Sequence, residues 1–90
     1  MSQFSRARLL ALLDGDEELH RLLCESGFVP REEQSLGTEH LELARVARTL
    51  IRELEVNWAG VEIVLRMRTE LLDTRRQVAE LLRLLGERRR

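Results

Sequence analysis

Lysine and tyrosine are missing from this 90-residue chain, and cysteine, proline and tryptophan each occur once. The one cysteine, Cys24, cannot form a disulfide within the chain, so no disulfide framework supports the fold. No stretch of about 18 consecutive apolar residues is present. The N-terminal segment has neither a long apolar run nor a small-residue cleavage site typical of a signal peptide. We therefore expect a cytoplasmic protein with no membrane-spanning helix.

The sequence also lacks the patterns on which catalysis and metal binding depend. It contains no glycine-rich phosphate loop, suggests no Ser-His-Asp set, and places no paired carboxylates in a predicted cleft. A structural zinc site uses four nitrogen or sulfur ligands, whereas only His20, Cys24 and His40 offer such atoms. We predict no enzymatic activity, no cofactor and no metal site, and we expect Cys24 to be a small buried residue.

Leucine and charged residues dominate the composition of the chain. Nineteen residues are leucine and the aromatic residues are only Phe4, Phe28 and Trp58, a composition that favours helices over a β-sandwich. A chain of this length forms one small domain whose own core is marginal, so we expect self-association or a partner. The net charge of −1 hides an asymmetry, because residues 1–45 sum to −4 and residues 46–90 sum to +3.

The distribution of caps, turns and apolar positions predicts two short helices, an extended segment and a third helix. Ser5 and Asp16 are suited to cap the first two helices. Gly27 fits the position after a helix that needs positive φ. Residues 31–37 are polar and end in glycine, which predicts a loop or wing, and Thr38 is the expected cap of the third helix.

A long last helix is predicted over residues 58–85, with Asn57 as its cap. Seven positions spaced alternately by three and four residues define the seam of this helix, and six of them are apolar. The seam consists of Val64, Met67, Leu71, Thr74, Val78, Leu81 and Leu85. Its six apolar members predict coiled-coil pairing in a homodimer. We accordingly divide the chain into a winged helix-turn-helix-like domain, residues 1–56, and a C-terminal dimerisation or packing helix, residues 57–90.

Two segments carry a resemblance to a known family. Residues 25–31, ESGFVPR, are similar to the segment that leads into the wing of the MerR-like superfamily. Residues 57–61, NWAGV, resemble the opening of the last helix in the chaperone modulator (CbpM) branch of that superfamily. The resemblance implies a mainly α, MerR-like winged helix-turn-helix with a long coiled-coil helix. It further implies a protein that binds the J-domain of a DnaJ- or CbpA-like co-chaperone and inhibits its activity.

The alternative within the same superfamily is a MerR-type DNA-binding transcription regulator. DNA binding draws on cations near phosphates, and a recognition helix presents its N-terminal residues to the base edges. Here those residues are Asp16, Glu17 and Glu18, so we consider DNA an unlikely partner. The same carboxylates suit the basic helix that J-domains present, by what is known of that domain, and would steer it onto this surface.

Two candidate faces for the partner remain open. The first is acidic and lies on and around the second helix; its members are Asp14, Asp16, Glu17, Glu18 and Glu25. The second is basic and lies on the third helix; its members are Arg45, Arg48 and Arg52. We also expect Trp58 to pack against the third helix and Gly60 to mark a close contact between helices.

Overall fold

The computed structural model describes residues 4–88, and within that range it is mainly helical and contains no strand. In chain order the helices are α1, Arg6–Leu12; α2, Glu17–Glu25; α3, Thr38–Arg52; and α4, Trp58–Arg88. The prediction of a mainly α chain with one long C-terminal helix is confirmed. Among the described residues, no helix has the length and apolarity needed to cross a membrane.

Three of the four helices begin directly after the capping residues that were predicted for them. Ser5, Asp16 and Asn57 precede α1, α2 and α4, and each side-chain oxygen accepts the backbone N–H three residues further on, at 3.1, 3.0 and 2.9 Å. Each cap satisfies one of the backbone donors that a helix leaves unpaired at its start. The sequence therefore determined these three helix starts locally.

The start of α3 differs from the prediction by one residue. Gly37 is the residue before the helix, and Thr38 is already helical. The Gly37 backbone N–H donates to Nδ1 of His40 at 2.9 Å, which is the reciprocal half of a capping box. His40 is thus a helix-capping residue.

The segment predicted as a loop or wing, residues 31–37, is a short loop that contains no strand. It contains one turn of 3₁₀ helix, Glu33–Ser35. The Glu33 carboxylate accepts the Arg6 backbone N–H at 3.1 Å, and Leu36 is buried in the core. Because Glu33 and Leu36 are both held against the rest of the chain, residues 31–37 have too little free length to form two paired strands.

The core is formed by buried side chains from all four helices and from the loop between α2 and α3. α3 packs against α1 and against the start of α4. The buried apolar residues are Leu9, Leu13, Leu19, Leu23, Val29, Leu36, Leu41, Leu43, Ala44, Ala47, Val61 and Leu65. Trp58 is half-buried and packs against this cluster, to which the third helix contributes four residues. The positive φ of Gly27, 82°, lets the chain turn after α2 so that Val29 enters the core.

α4 belongs to the core only along its first two turns. Val61 and Leu65 are fully buried, whereas each residue from 71 to 88 is exposed. We call residues 66–88 the arm and residues 4–65 the helical domain. At 1.5 Å per residue the arm is about 34 Å long, and it accounts for much of the 53 Å length of the molecule.

Gly60 does not mark a contact between two helices. A β-carbon at this position would lie 2.6 Å from Cγ1 of Val56, in the connection that precedes α4. Such a distance is too short for two carbon atoms, so glycine permits the chain to turn tightly into α4. The prediction of a contact between two helices was wrong, because the close neighbour is the preceding connection.

Candidate functional site

Four carboxylates lie at the start and on the solvent side of α2, and we call them the α2 acidic face: the half-buried Asp16 and the exposed Glu17, Glu18 and Glu25. Asp16 is the cap of the helix, and Glu17 and Glu18 lie in its first turn. The positive end of the helix dipole stabilises negative charge at these positions. Glu17 is exposed and forms no ion pair within residues 4–88.

One arginine lies inside this face. The Arg21 guanidinium bonds to Glu18, with Nε 3.0 Å from Oε1, and to Glu25, with Nη1 2.7 Å from Oε2. The hydrogen bond from Arg21 lowers the pKa of Glu18, and the bonds to both carboxylates raise the pKa of Arg21. Four carboxylates against one guanidinium leave the face with a net negative charge.

Asp14, the fifth acidic residue of the predicted set, faces α3 instead. Its φ is 58°, a left-handed conformation that Asp adopts more readily than most residues. The two carboxylate oxygens lie 3.7 Å from Nη1 of Arg48 and of Arg52. Nη1 of Arg48 also donates to the backbone oxygen of Leu12 at 3.2 Å, at the end of α1. The two candidate faces therefore meet at Asp14.

The three arginines of the basic candidate face have different environments. Arg48 and Arg52 are held by Asp14, so they clamp the turn between α1 and α2 to α3. Arg45 is exposed and lies 3.7 Å from Glu42 on its own helix. Most of the positive charge of this face is thus paired with Asp14 of the same chain. The α2 acidic face is therefore the stronger electrostatic feature.

His20 and Cys24 lie on the side of α2 that is turned toward the core. His20 is buried and Cys24 half-buried, with Sγ 3.8 Å from Nε2. Burial lowers the pKa of His20, the positive charge of Arg6 lowers it further, and Glu17 opposes both. No group of three or more potential metal ligands occurs among residues 4–88.

The apolar seam residues have no covering element in the structure. Val64, Met67 and Leu71 are 38, 63 and 52% exposed, and the remaining apolar members are 49–60% exposed. Those remaining members are Val78, Leu81 and Leu85. An isolated soluble chain rarely exposes so much contiguous apolar surface, so this stripe is a second candidate site.

A half-open groove, which the sequence did not indicate, lies where the helical domain meets the arm. Its volume is about 470 Å³, and it lies between the turn after α2, the start of α3 and the arm. Phe28, Leu43 and Leu72 supply apolar side chains, and charged side chains of both signs, such as Glu39 and Arg66, surround them. The one signal in the sequence is Leu72, which follows the buried Leu65 by two helical turns.

Compared with protein-family models, curated proteins and solved structures, the chain has no match.

Proposed function

We propose that this protein is a non-enzymatic chaperone modulator. It binds the J-domain of a DnaJ- or CbpA-like co-chaperone in the cytoplasm and inhibits the co-chaperone by covering the surface that the chaperone needs. The observation that carries the proposal is the α2 acidic face, which has four carboxylates and one arginine, the latter paired with Glu18 and Glu25. The resemblance of residues 25–31 and 57–61 to the modulator family supplies the class of partner.

Charge complementarity explains how the two surfaces would meet. The J-domain presents a helix rich in basic residues, and an acidic face raises the rate of encounter and the specificity of binding. Affinity needs an apolar anchor as well. Leu22 is half-buried and borders the α2 acidic face one turn after Glu18, so it is suited to be that anchor.

The same geometry argues against a DNA-binding regulator. The three residues at the start of α2, where a recognition helix approaches the base edges, are all acidic and would face a polyanion. The loop at residues 31–37 adds Glu32 and Glu33. A MerR-type DNA contact through α2 would therefore be repelled.

We further propose that the active form is a homodimer paired along the seam. An isolated helix is marginally stable in water, and within residues 4–88 the outer part of the arm, residues 71–88, is exposed without a packing partner. Burial of the apolar seam residues against a second copy would provide one. A dimer presents two α2 acidic faces.

Calorimetric titration with a purified J-domain tests the function directly, with a generic DNA duplex as the control. We expect saturable binding of the J-domain and no binding of the duplex. Salt-sensitive binding of the duplex without binding of the J-domain would instead identify a DNA regulator.

Charge reversal locates the interface. Glu17→Arg combined with Glu18→Arg should weaken J-domain binding by roughly tenfold or more, because two attractive charges become repulsive. Glu80→Arg combined with Glu87→Arg is the matched control, since Glu80 and Glu87 flank Arg83 on the arm as Glu18 and Glu25 flank Arg21. Equal affinities for all three proteins would exclude the α2 acidic face.

A milder variant separates charge from folding. Glu17→Gln leaves the bonds of Arg21 intact, because Arg21 bonds to Glu18 and Glu25. We expect a smaller loss of affinity than for the double reversal and only a small drop in melting temperature, because the helix-dipole interaction lost with the Glu17 charge amounts to about 0.3–1 kcal/mol.

A further inference from the structure

We infer that the groove between the turn after α2, the start of α3 and the arm holds an apolar side chain of the basic helix that binds the α2 acidic face. The inference rests on the proposed binding of a J-domain. It adds the place of an apolar anchor and names Leu72 as the residue of the arm that completes it. It follows from the position of the groove, from its apolar side chains and from the sign of its unpaired charges.

The groove begins where the α2 acidic face ends. Glu25 is the last residue of α2, and the three residues that follow it, Ser26, Gly27 and Phe28, line the groove. Glu18 and Glu25 lie seven residues apart, so a partner helix that contacts both follows α2 for about 10 Å. An extension of that partner helix by one turn brings its next side chains to the turn that forms one wall of the groove.

The turn after α2 is a fixed wall. The Gly27 N–H donates to the Cys24 carbonyl at 3.1 Å and the Phe28 N–H to the Leu23 carbonyl at 3.0 Å, which are the two bonds of a Schellman motif. Phe28 is half-buried and packs against the core. Its position is therefore set before a partner arrives, so little conformational entropy is lost on binding.

Three apolar side chains from separate parts of the fold meet in the groove. Phe28 comes from the turn, Leu43 from α3 and Leu72 from the arm. Leu72 is the most exposed of the three, at 37%. The groove volume of about 470 Å³ leaves space for a large apolar side chain of the partner. Contact with that side chain would remove Leu72 from water and supply the affinity that charge alone does not.

The charges around the groove match a basic partner. Two of its three arginines, Arg66 and Arg76, are held by carboxylates of α4, at N–O distances of 2.9 and 3.6 Å. Glu39, Glu70 and Arg68 also line the groove and form no ion pair within residues 4–88. Two unpaired carboxylates against one unpaired arginine give the groove the same sign of charge as the α2 acidic face. A basic helix is therefore attracted along the whole surface.

Calorimetric titration of the whole protein with a purified J-domain tests the anchor. Leu72→Gln should weaken binding by about tenfold, because a polar amide replaces the apolar side chain at the contact. Leu82→Gln is the matched control, since Leu82 is exposed on the same helix and does not line the groove. This control should bind as the wild type does. Equal losses for the two variants, or no loss for either, would overturn the anchor.

Two further measurements separate a lost contact from a lost fold. Both glutamine variants should keep the helix content and the mass of the wild type, measured by circular dichroism and light scattering. The heat-capacity change of binding should be less negative for Leu72→Gln than for the wild type, because less apolar surface is buried. An unchanged heat-capacity change would overturn the anchor.

Salt distinguishes the anchor from the charges. The loss caused by Leu72→Gln should be the same fold-change at low and at high NaCl, whereas the loss caused by Glu17→Arg with Glu18→Arg should shrink as salt screens the charges. A Leu72→Gln loss that disappears at high salt would overturn the anchor. Failure of the wild type to bind the J-domain would overturn the proposed function and the anchor with it. Binding by the wild type that Leu72→Gln leaves unchanged would overturn the anchor alone.

Discussion

Leu65 and Leu72 lie seven residues apart on the same side of one continuous helix, yet only the first is buried. Leu65 is 0% exposed against α3, whereas Leu72 is 37% exposed beyond the end of the helical domain. Nothing in the local sequence changes between them, since both are leucines in an amphipathic helix without a break. The difference shows that burial along α4 is decided by where the other helices end.

The largest expected effect concerns this pair of leucines. Leu65→Ala should cost about 2–5 kcal/mol of unfolding free energy, because it leaves a cavity among fully packed side chains. Leu72→Ala should cost about 1 kcal/mol or less, since its side chain is partly solvated. Urea unfolding at one fixed chain concentration compares the two. Similar losses would mean that the arm is packed as firmly as the helical domain.

A charge placed in the seam should disrupt pairing of the arms while the helical domain stays folded. Leu71→Asp should convert dimers to monomers and expose the arm amides to rapid hydrogen exchange, while amides of α3 stay protected. Light scattering measures the mass, and Ala79→Asp, at an exposed position beside the seam, is the control. An unchanged mass for Leu71→Asp would show that the seam packs within one chain.

The clamp that Arg48 forms between α1 and α3 should contribute less to the free energy of unfolding. Arg48→Met removes the bond to the Leu12 carbonyl and one contact to Asp14, for a loss of about 0.5–1.5 kcal/mol. Arg45→Met removes only an exposed contact to Glu42 and should change stability by less than about 0.5 kcal/mol. Equal effects of the two variants in urea unfolding would show that the clamp adds nothing.

The smallest effect is a pH dependence that belongs to the domain, because the arm contains no histidine. Burial and Arg6 lower the pKa of His20 in the folded state, so the unfolded chain binds its proton first. Stability should therefore fall as the pH decreases through about 6.5. The urea midpoint of the wild type should drop more between pH 7.5 and pH 5.5 than that of His20→Gln. Identical shifts would show that folding does not lower the pKa of His20.

The local features of the fold were predictable from the sequence, because their causes are local. Ser5, Asp16 and Asn57 each satisfy a backbone donor three residues away. The continuity of α4 follows from the absence of proline and of mid-helix glycine. The loop at residues 31–37 was harder to predict, because its shape depends on Leu36 reaching the core and Glu33 reaching α1.

The candidate site was predicted as a set of residues but not as an arrangement. The acidic residues of α2 were identified from charge alone; Glu17, Glu18 and Glu25 are exposed on this helix and Asp16 caps it. Asp14 was assigned to the same face, but a left-handed turn directs it to Arg48 and Arg52. Contacts between residues more than thirty positions apart leave no local pattern, so the sequence could not show that the two candidate faces meet.

The unbroken path of α4 has a mechanical consequence. No glycine or proline lies between Gly60 and Gly86, so the helix has no hinge where it leaves the helical domain. α4 is then a rigid lever whose short end is fixed by Val61 and Leu65 in the core. As long as α4 stays helical, force applied along the arm reaches α3 through these two side chains.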